Sequence, residues 1–141
     1  MKTIGMVVAM EKELLPLLAN AGYEGEEVKE GYFSVHIFRI GENKIVCVKS
    51  GVGEIFAAAA TQMLVDRYAV DVVLNYGVCG SLTEDLGVKG LVVVKGVVHY
   101  DFDTSPIDGC EVGRYLEFPS VVLPTDEALL AKAKSILPGA R

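Results

Sequence analysis

Apolar residues fall in short runs separated by stretches of helical spacing. Thr3–Ala9 is almost continuously apolar and predicts a buried first strand. Glu13–Asn20 predicts a short helix, in which Pro16 is tolerable if the helix begins close to Glu13, since early helical amides have no intrahelical partner. Tyr32–Ile40 alternates, with Phe33, Val35 and Ile37 on one face and Ser34, His36 and Phe38 on the other. The turn Gly41-Glu42-Asn43 makes this strand a hairpin with a third strand, Lys44–Lys49. Ser50-Gly51-Val52-Gly53 then opens a long helix over Glu54–Tyr68, whose alanines Ala57 to Ala60 suit close packing on a sheet. Asp71–Asn75 predicts a fourth strand and Gly90–Val98 a fifth. A loop of roughly 25 residues follows, long enough to expect function of it. Thr125 caps a last helix from Asp126 to about Leu137, with Asp126 and Glu127 in the first turn where the helix dipole favours them. Strands alternating with helices argue for an α/β fold with parallel strands.

Composition narrows the function classes. The chain has 141 residues, the size of one domain. Lys plus Arg is 13 and Asp plus Glu is 19, a net charge of −6, and no basic run appears, so a nucleic-acid partner is not expected. Hydrophobic residues make up 51% and mean hydropathy is +0.38, which excludes disorder. That is high for a small domain: either both strand faces are buried, or part of their cover lies outside the chain. The apolar start Ile4–Met10 runs into Glu11-Lys12-Glu13 and is too short for a membrane span or a signal peptide. Cys47, Cys79 and Cys110 are odd in number and form no CxxC pair, so a reducing cytoplasm is expected rather than a disulfide framework.

Three predicted strand ends carry chemistry: Ala9-Met10-Glu11-Lys12-Glu13, Ser50-Gly51-Val52-Gly53 and Asn75 to Ser81. In an open parallel sheet ligands bind beyond the carboxyl ends of the strands, so the three share one rim. Glycines there let backbone approach a ligand and expose amides. Singly, each is also an ordinary strand-to-helix turn. A carboxylate at Glu11 or Glu13 can act as a general base toward water, or can simply favour a helix start; the residues alone leave both open. Gly51-Val52-Gly53-Glu54-Ile55-Phe56 places a bulky Phe where a dinucleotide fingerprint needs a small residue, and no GxxxxGK[ST] loop is present. Cys79 is a candidate nucleophile with His99 as its base, against the commoner reading of a small residue filling a turn. His99, Asp101 and Asp103 alternate and could face a metal, but no second cluster completes a site, so neither metal nor cofactor is expected. His36 shares a strand face with Phe38 and reads as structural.

Taken in order, Ile4-Gly5-Met6-Val7-Val8-Ala9-Met10-Glu11-Lys12-Glu13, Lys49-Ser50-Gly51-Val52-Gly53, Asn75-Tyr76-Gly77-Val78-Cys79-Gly80-Ser81-Leu82 and His99-Tyr100-Asp101-Phe102-Asp103 resemble the 5′-methylthioadenosine/S-adenosylhomocysteine nucleosidases of the nucleoside phosphorylase superfamily. The resemblance implies a three-layer αβα nucleoside phosphorylase-like fold with a mixed central sheet. It covers essentially the whole chain, but only the amino-terminal part of the family domain. It implies hydrolysis of the bond between adenine and a 5′-thio-substituted ribose, through a transition state like that of glycoside cleavage. Glu13 would activate the water. Ala9, Met10, Val52, Val78, Cys79 and Gly80 would line the ribose and purine pocket. Thr104 and Ile107 would reach into a partner subunit's pocket, implying a homodimer. Phosphorylase relatives place a glycine and an arginine near the first strand; Glu11 and Glu13 stand there instead, which favours water over phosphate. Many members carry Ser at the position of Val78, and Val cannot donate a side-chain hydrogen bond.

The family's purine-protonating aspartate and ribose-holding Met-Glu pair come from later elements than these motifs. The chain is therefore expected to be a truncated sheet, inactive alone, and prone to associate through exposed apolar surface. A purine or uridine nucleoside phosphorylase, a non-catalytic nucleoside-binding or interaction module, and a Cys79-dependent hydrolase remain the competing readings.

Overall fold

The computed structural model describes every residue except Asp85 and forms two compact units, Met1–Gly80 and Ser81–Arg141. The first holds β1 (Thr3–Val8), α1 (Glu11–Asn20), β2 (Glu26–Glu30), β3 (Phe33–Ile40), β4 (Asn43–Lys49), α2 (Glu54–Tyr68) and β5 (Val72–Tyr76). Its sheet runs in the order β2-β3-β4-β1-β5. β1 lies parallel to both β4 and β5, while β2, β3 and β4 form an antiparallel meander. The sheet is thus mixed and the fold α/β, as expected.

Both faces of the sheet are covered, so the central strands carry no polar side. Val7, Val35, Val46 and Val48 pack with Ala60 and Leu64 of α2. Val8, Phe38, Ile45 and Cys47 pack with Leu14 and Leu18 of α1 on the opposite face. Successive strand residues point to opposite faces, so an unbroken apolar run is what a three-layer arrangement requires. Gly5 sits where β1 meets α2: a Cβ there would lie 3.1 Å from Leu64 Cδ1 and 3.2 Å from Val70 Cγ1. The absent side chain lets the helix approach the sheet. Of the four alanines only Ala60 is fully buried, and Ala58 and Ala59 face outward. On β5, Val73, Leu74 and Tyr76 remain more than one-third exposed, so the high hydropathy reflects incomplete cover as well as double-sided burial.

Three differences from the sequence reading concern the first unit. α1 begins at Glu11, two residues early, because Glu13 folds back onto the Met10 amide and closes the first turn there. Pro16 consequently lies inside the helix. β2 was not predicted: its sequence, Glu-Glu-Val-Lys-Glu, is mostly charged, which suits a solvent-facing edge strand.

In the second unit the expected strand over Gly90–Val98 shrinks to β6 (Gly96–Val97), paired antiparallel with β7 (Leu123–Pro124). The flanking backbone bonds elsewhere, with Val93 N–H donating to Arg141 O at 2.7 Å and Arg141 N–H to Leu91 O at 3.1 Å. A short α3 (Ser105–Asp108) interrupts the long loop. The last helix, α4 (Glu127–Ile136), is capped by Asp126, whose Oδ1 accepts from Leu129 N at 2.8 Å. Thr125 instead donates from Oγ1 to Val94 O.

Among the described residues, His36 is the buried side chain left with an unpaired polar atom. It faces Tyr23 edge-on at 5.5 Å between ring centres and pairs in register with Glu27 and Cys47. Its Nδ1 has no hydrogen-bond partner among the described residues. Burial pulls its pKa below the ordinary value of 6.5, helped by Lys29 and Lys49 and opposed by Glu27. The unfolded chain therefore binds the proton more readily than the fold does, and stability falls as pH drops from above 6.5 toward the folded-state pKa. Urea unfolding across pH 7.5 to 5 should show that loss, and His36→Leu should flatten it. An equal slope in the variant would remove His36 as the cause.

Candidate functional site

The register of the parallel strands builds the site. Val8 pairs with Lys49 on one side and with Tyr76 on the other, so β1, β4 and β5 end level. Residues 9–13, 50–53 and 77–80 therefore leave the sheet at one carboxyl rim, where α/β folds bind ligands.

Glu13 joins two of these turns. It is only 8% exposed. Its Oε2 accepts from the Met10 amide at 2.9 Å and its Oε1 from the Val78 amide at 2.9 Å. The first bond is the N-terminal closure of α1; the second spans 65 residues and ties the end of β1 to the end of β5. Each carboxylate oxygen retains a second lone pair, so a water can still be held and deprotonated there. The helix-start and general-base readings of Glu13 are thus compatible. Glu11 is solvent-facing and pairs with Lys49, Nζ to Oε2 at 3.5 Å.

Gly77 is what lets the carboxylate in. A Cβ built on it would lie 2.8 Å from Glu13 Oε1 and 3.2 Å from its carboxyl carbon. Val78 contributes its amide, while the residue as a whole is 78% exposed. The missing Ser hydroxyl therefore does not weaken the Glu13 link, which runs through backbone. Cys79 and Gly80 follow, both exposed. On the neighbouring turn, Gly51 and Gly53 have φ of +92° and +105°, conformations that side-chain-bearing residues rarely adopt. Ser50 is buried there, its amide donating to Val8 O at 2.9 Å, and Val52 stands outward on the rim.

Beside the Ala9-Met10 turn opens a cavity of about 490 Å³. Glu11, Lys49, Ser50 and Gly51 line it from the rim, and Lys29, Tyr32 and Ser34 from the β2–β3 hairpin. Sequence reasoning missed the hairpin contribution because β2 itself was not recognised. Tyr32 stacks on Phe56 of α2, ring centres 5.3 Å apart, and makes one wall.

The remaining candidates belong to the second unit. His99 Nδ1 lies 2.6 Å from Tyr115 OH, and Nε2 lies 3.3 Å from Asp101 Oδ1. Phe102 stacks on Tyr115 with ring centres 4.4 Å apart. Asp103 accepts from the Ser105 amide and the Thr104 hydroxyl donates to Asp108 at 2.8 Å, so both are engaged in shaping α3. Ile107, on that turn, is 89% exposed. Among the described residues no three His, Cys, Asp or Glu side chains gather closely enough to hold a metal ion.

Gly77→Ala should push the Glu13 carboxylate off the Val78 amide and leave that partly buried donor unpaired, at a cost of about 1–3 kcal/mol. Urea unfolding measures it. Stability equal to the parent chain would show that the rim does not depend on this approach.

Comparison with known proteins bears on the same segments. Residues 3–140 match the model of the phosphorylase superfamily. A 5′-methylthioadenosine/S-adenosylhomocysteine nucleosidase of Maridesulfovibrio salexigens is 33% identical over 131 residues, which cover 93% of this chain and 55% of that protein. The crystal structure of the Helicobacter pylori 5′-methylthioadenosine/S-adenosylhomocysteine nucleosidase with butyl-thio-DADMe-Immucillin-A superposes with a TM-score of 0.91 at 30% identity, covering 98% of this chain and 59% of that one. An S-adenosylhomocysteine nucleosidase from Streptococcus pyogenes, solved with 5-methylthiotubericidin, gives 0.89 at 28% identity, covering 97% and 57%. The chain thus spans little more than half the length of the relatives it matches. With its parallel rim, glycine turns and matched span together, the chain belongs to the phosphorylase superfamily.

Proposed function

We propose that the protein to which these residues belong hydrolyses the N-glycosidic bond of 5′-thio-substituted adenosines, 5′-methylthioadenosine or S-adenosylhomocysteine, releasing adenine. The observation that carries this is Glu13: a nearly buried carboxylate at the ligand-binding rim, held by two backbone amides and backed by Gly77. Similarity to proteins named as nucleosidases of these two compounds supports the substrate class.

Residues 1–141 are the amino-terminal part of one nucleoside phosphorylase-like domain and supply its water side. As the purine departs, positive charge develops on the ribose, and a fixed carboxylate both stabilises that charge and takes the proton of the attacking water. Orientation comes from the backbone: neither Glu13 oxygen can swing away without breaking a hydrogen bond. A carboxylate at this spot also repels an incoming phosphate dianion, which favours hydrolysis over phosphorolysis. Ala9, Met10, Val52 and the Val78-Cys79-Gly80 turn border the ribose and purine. Thr104 and Ile107, on a turn already shaped by hydrogen bonds, cover the thioalkyl tail of a partner subunit in a homodimer. Among the described residues no helix is long and apolar enough to cross a membrane, and the cysteines are free; both accord with a cytoplasmic enzyme.

The proton donor to the purine lies outside the motifs of this chain, so alone it should bind nucleoside but release little adenine. In the full-length enzyme, Glu13→Gln should lower adenine release from 5′-methylthioadenosine by about 10²–10⁴-fold with little change in nucleoside affinity. Turnover equal to the parent enzyme would overturn the assignment of Glu13.

A further inference from the structure

The cavity beside the Ala9-Met10 turn carries more charge than a methylthio group can use. Lys29 and Lys49 both line it, with Glu11 between rim and mouth and the hydroxyls of Ser34 and Tyr32 on the hairpin side. Neither ammonium is fully engaged. Lys49 Nζ is 3.5 Å from Glu11 Oε2 and Lys29 Nζ is 3.7 Å from Glu27 Oε1, both longer than a charge-assisted hydrogen bond. Lys29 also donates to Ser34 Oγ, which aims its head along the hairpin toward the cavity. Each ammonium has three donors, so both keep capacity for an anion.

We propose that this cavity is the subsite for an amino-acid zwitterion on the 5′-sulfur: Lys29 and Lys49 take its α-carboxylate, and Glu11 takes its α-ammonium. It rests on the nucleosidase reading and sharpens it, because it selects the homocysteine-bearing substrate over the methylthio one. The set contains both signs, two cations and one anion, so each charge of the zwitterion meets an opposite one. It adjoins Ala9 and Met10, the turn assigned to the ribose, so a 5′-tail enters without crossing the sheet. Its size lies within the range of small-molecule sites. Discrimination follows from polarity: a site built to pair charges gains little from a substrate that lacks them.

Calorimetric titration of the full-length enzyme (Glu13→Gln, to stop turnover) with S-adenosylhomocysteine and with 5′-methylthioadenosine tests this. The double variant Lys29→Met, Lys49→Met should weaken S-adenosylhomocysteine binding at least tenfold and leave 5′-methylthioadenosine within twofold, which also reports that the variant is folded. Lys29→Arg with Lys49→Arg should restore most of the loss. Equal weakening of both nucleosides, or of neither, would overturn the subsite while leaving the nucleosidase reading intact. Binding of neither nucleoside by the parent enzyme would overturn both.

Discussion

Two hydrogen bonds to one carboxylate organise the carboxyl rim of the sheet. Glu13 is anchored through the first turn of α1 to the end of β1, and through the Val78 amide to the end of β5. Helix starts commonly use a glutamate three residues in to satisfy their own amides. Here the same side chain has a second acceptor left over, and Gly77 gives it room to use that acceptor across the sheet. A residue first required by helix geometry is thereby fixed between the ends of β1 and β5, where the proposed function needs its carboxylate.

Everything beneath that bond serves to bring the two turns level. β1 is the central parallel strand, and its registers with β4 and β5 set Val8 opposite both Lys49 and Tyr76. The double-sided apolar packing of α1 and α2 locks this register, because a one-residue slip would turn Val7 and Val8 to the wrong helices. Gly5 tightens the α2 side, and the left-handed Gly51 and Gly53 turn the chain from β4 into α2 without a side chain in the way. The edge contributes charge as well: the β2–β3 hairpin carries Lys29, which lines the same cavity as Lys49.

The sheet was legible in the residues wherever hydrophobicity dictated it. β1, β3, β4, α2 and the shared rim follow from apolar runs, alternation and glycine turns. β2 was not, because Glu26-Glu27-Val28-Lys29-Glu30 is almost wholly charged and has almost no apolar signal. Gly90–Val98 misled in the opposite direction: its apolar run resembles a buried strand, yet only Gly96 and Val97 find ladder partners. At the site, the residues alone leave Glu11 and Glu13 equally eligible and the helix-start and base readings undivided, since the bond from Val78 to Glu13 joins positions 65 apart and no local pattern announces it. Missing β2 also concealed Lys29, and with it the hairpin side of the cavity.

Hydrogen exchange at the Met10 and Val78 amides tests the central claim most directly. In the parent chain both should exchange far more slowly than the neighbouring rim amide of Cys79. In Glu13→Gln, where a neutral amide replaces one carboxylate oxygen with a donor, protection at one or both should fall while that of the β1–β4 ladder persists. Unchanged protection at both positions would contradict the account, because the rim would then be held together by something other than Glu13.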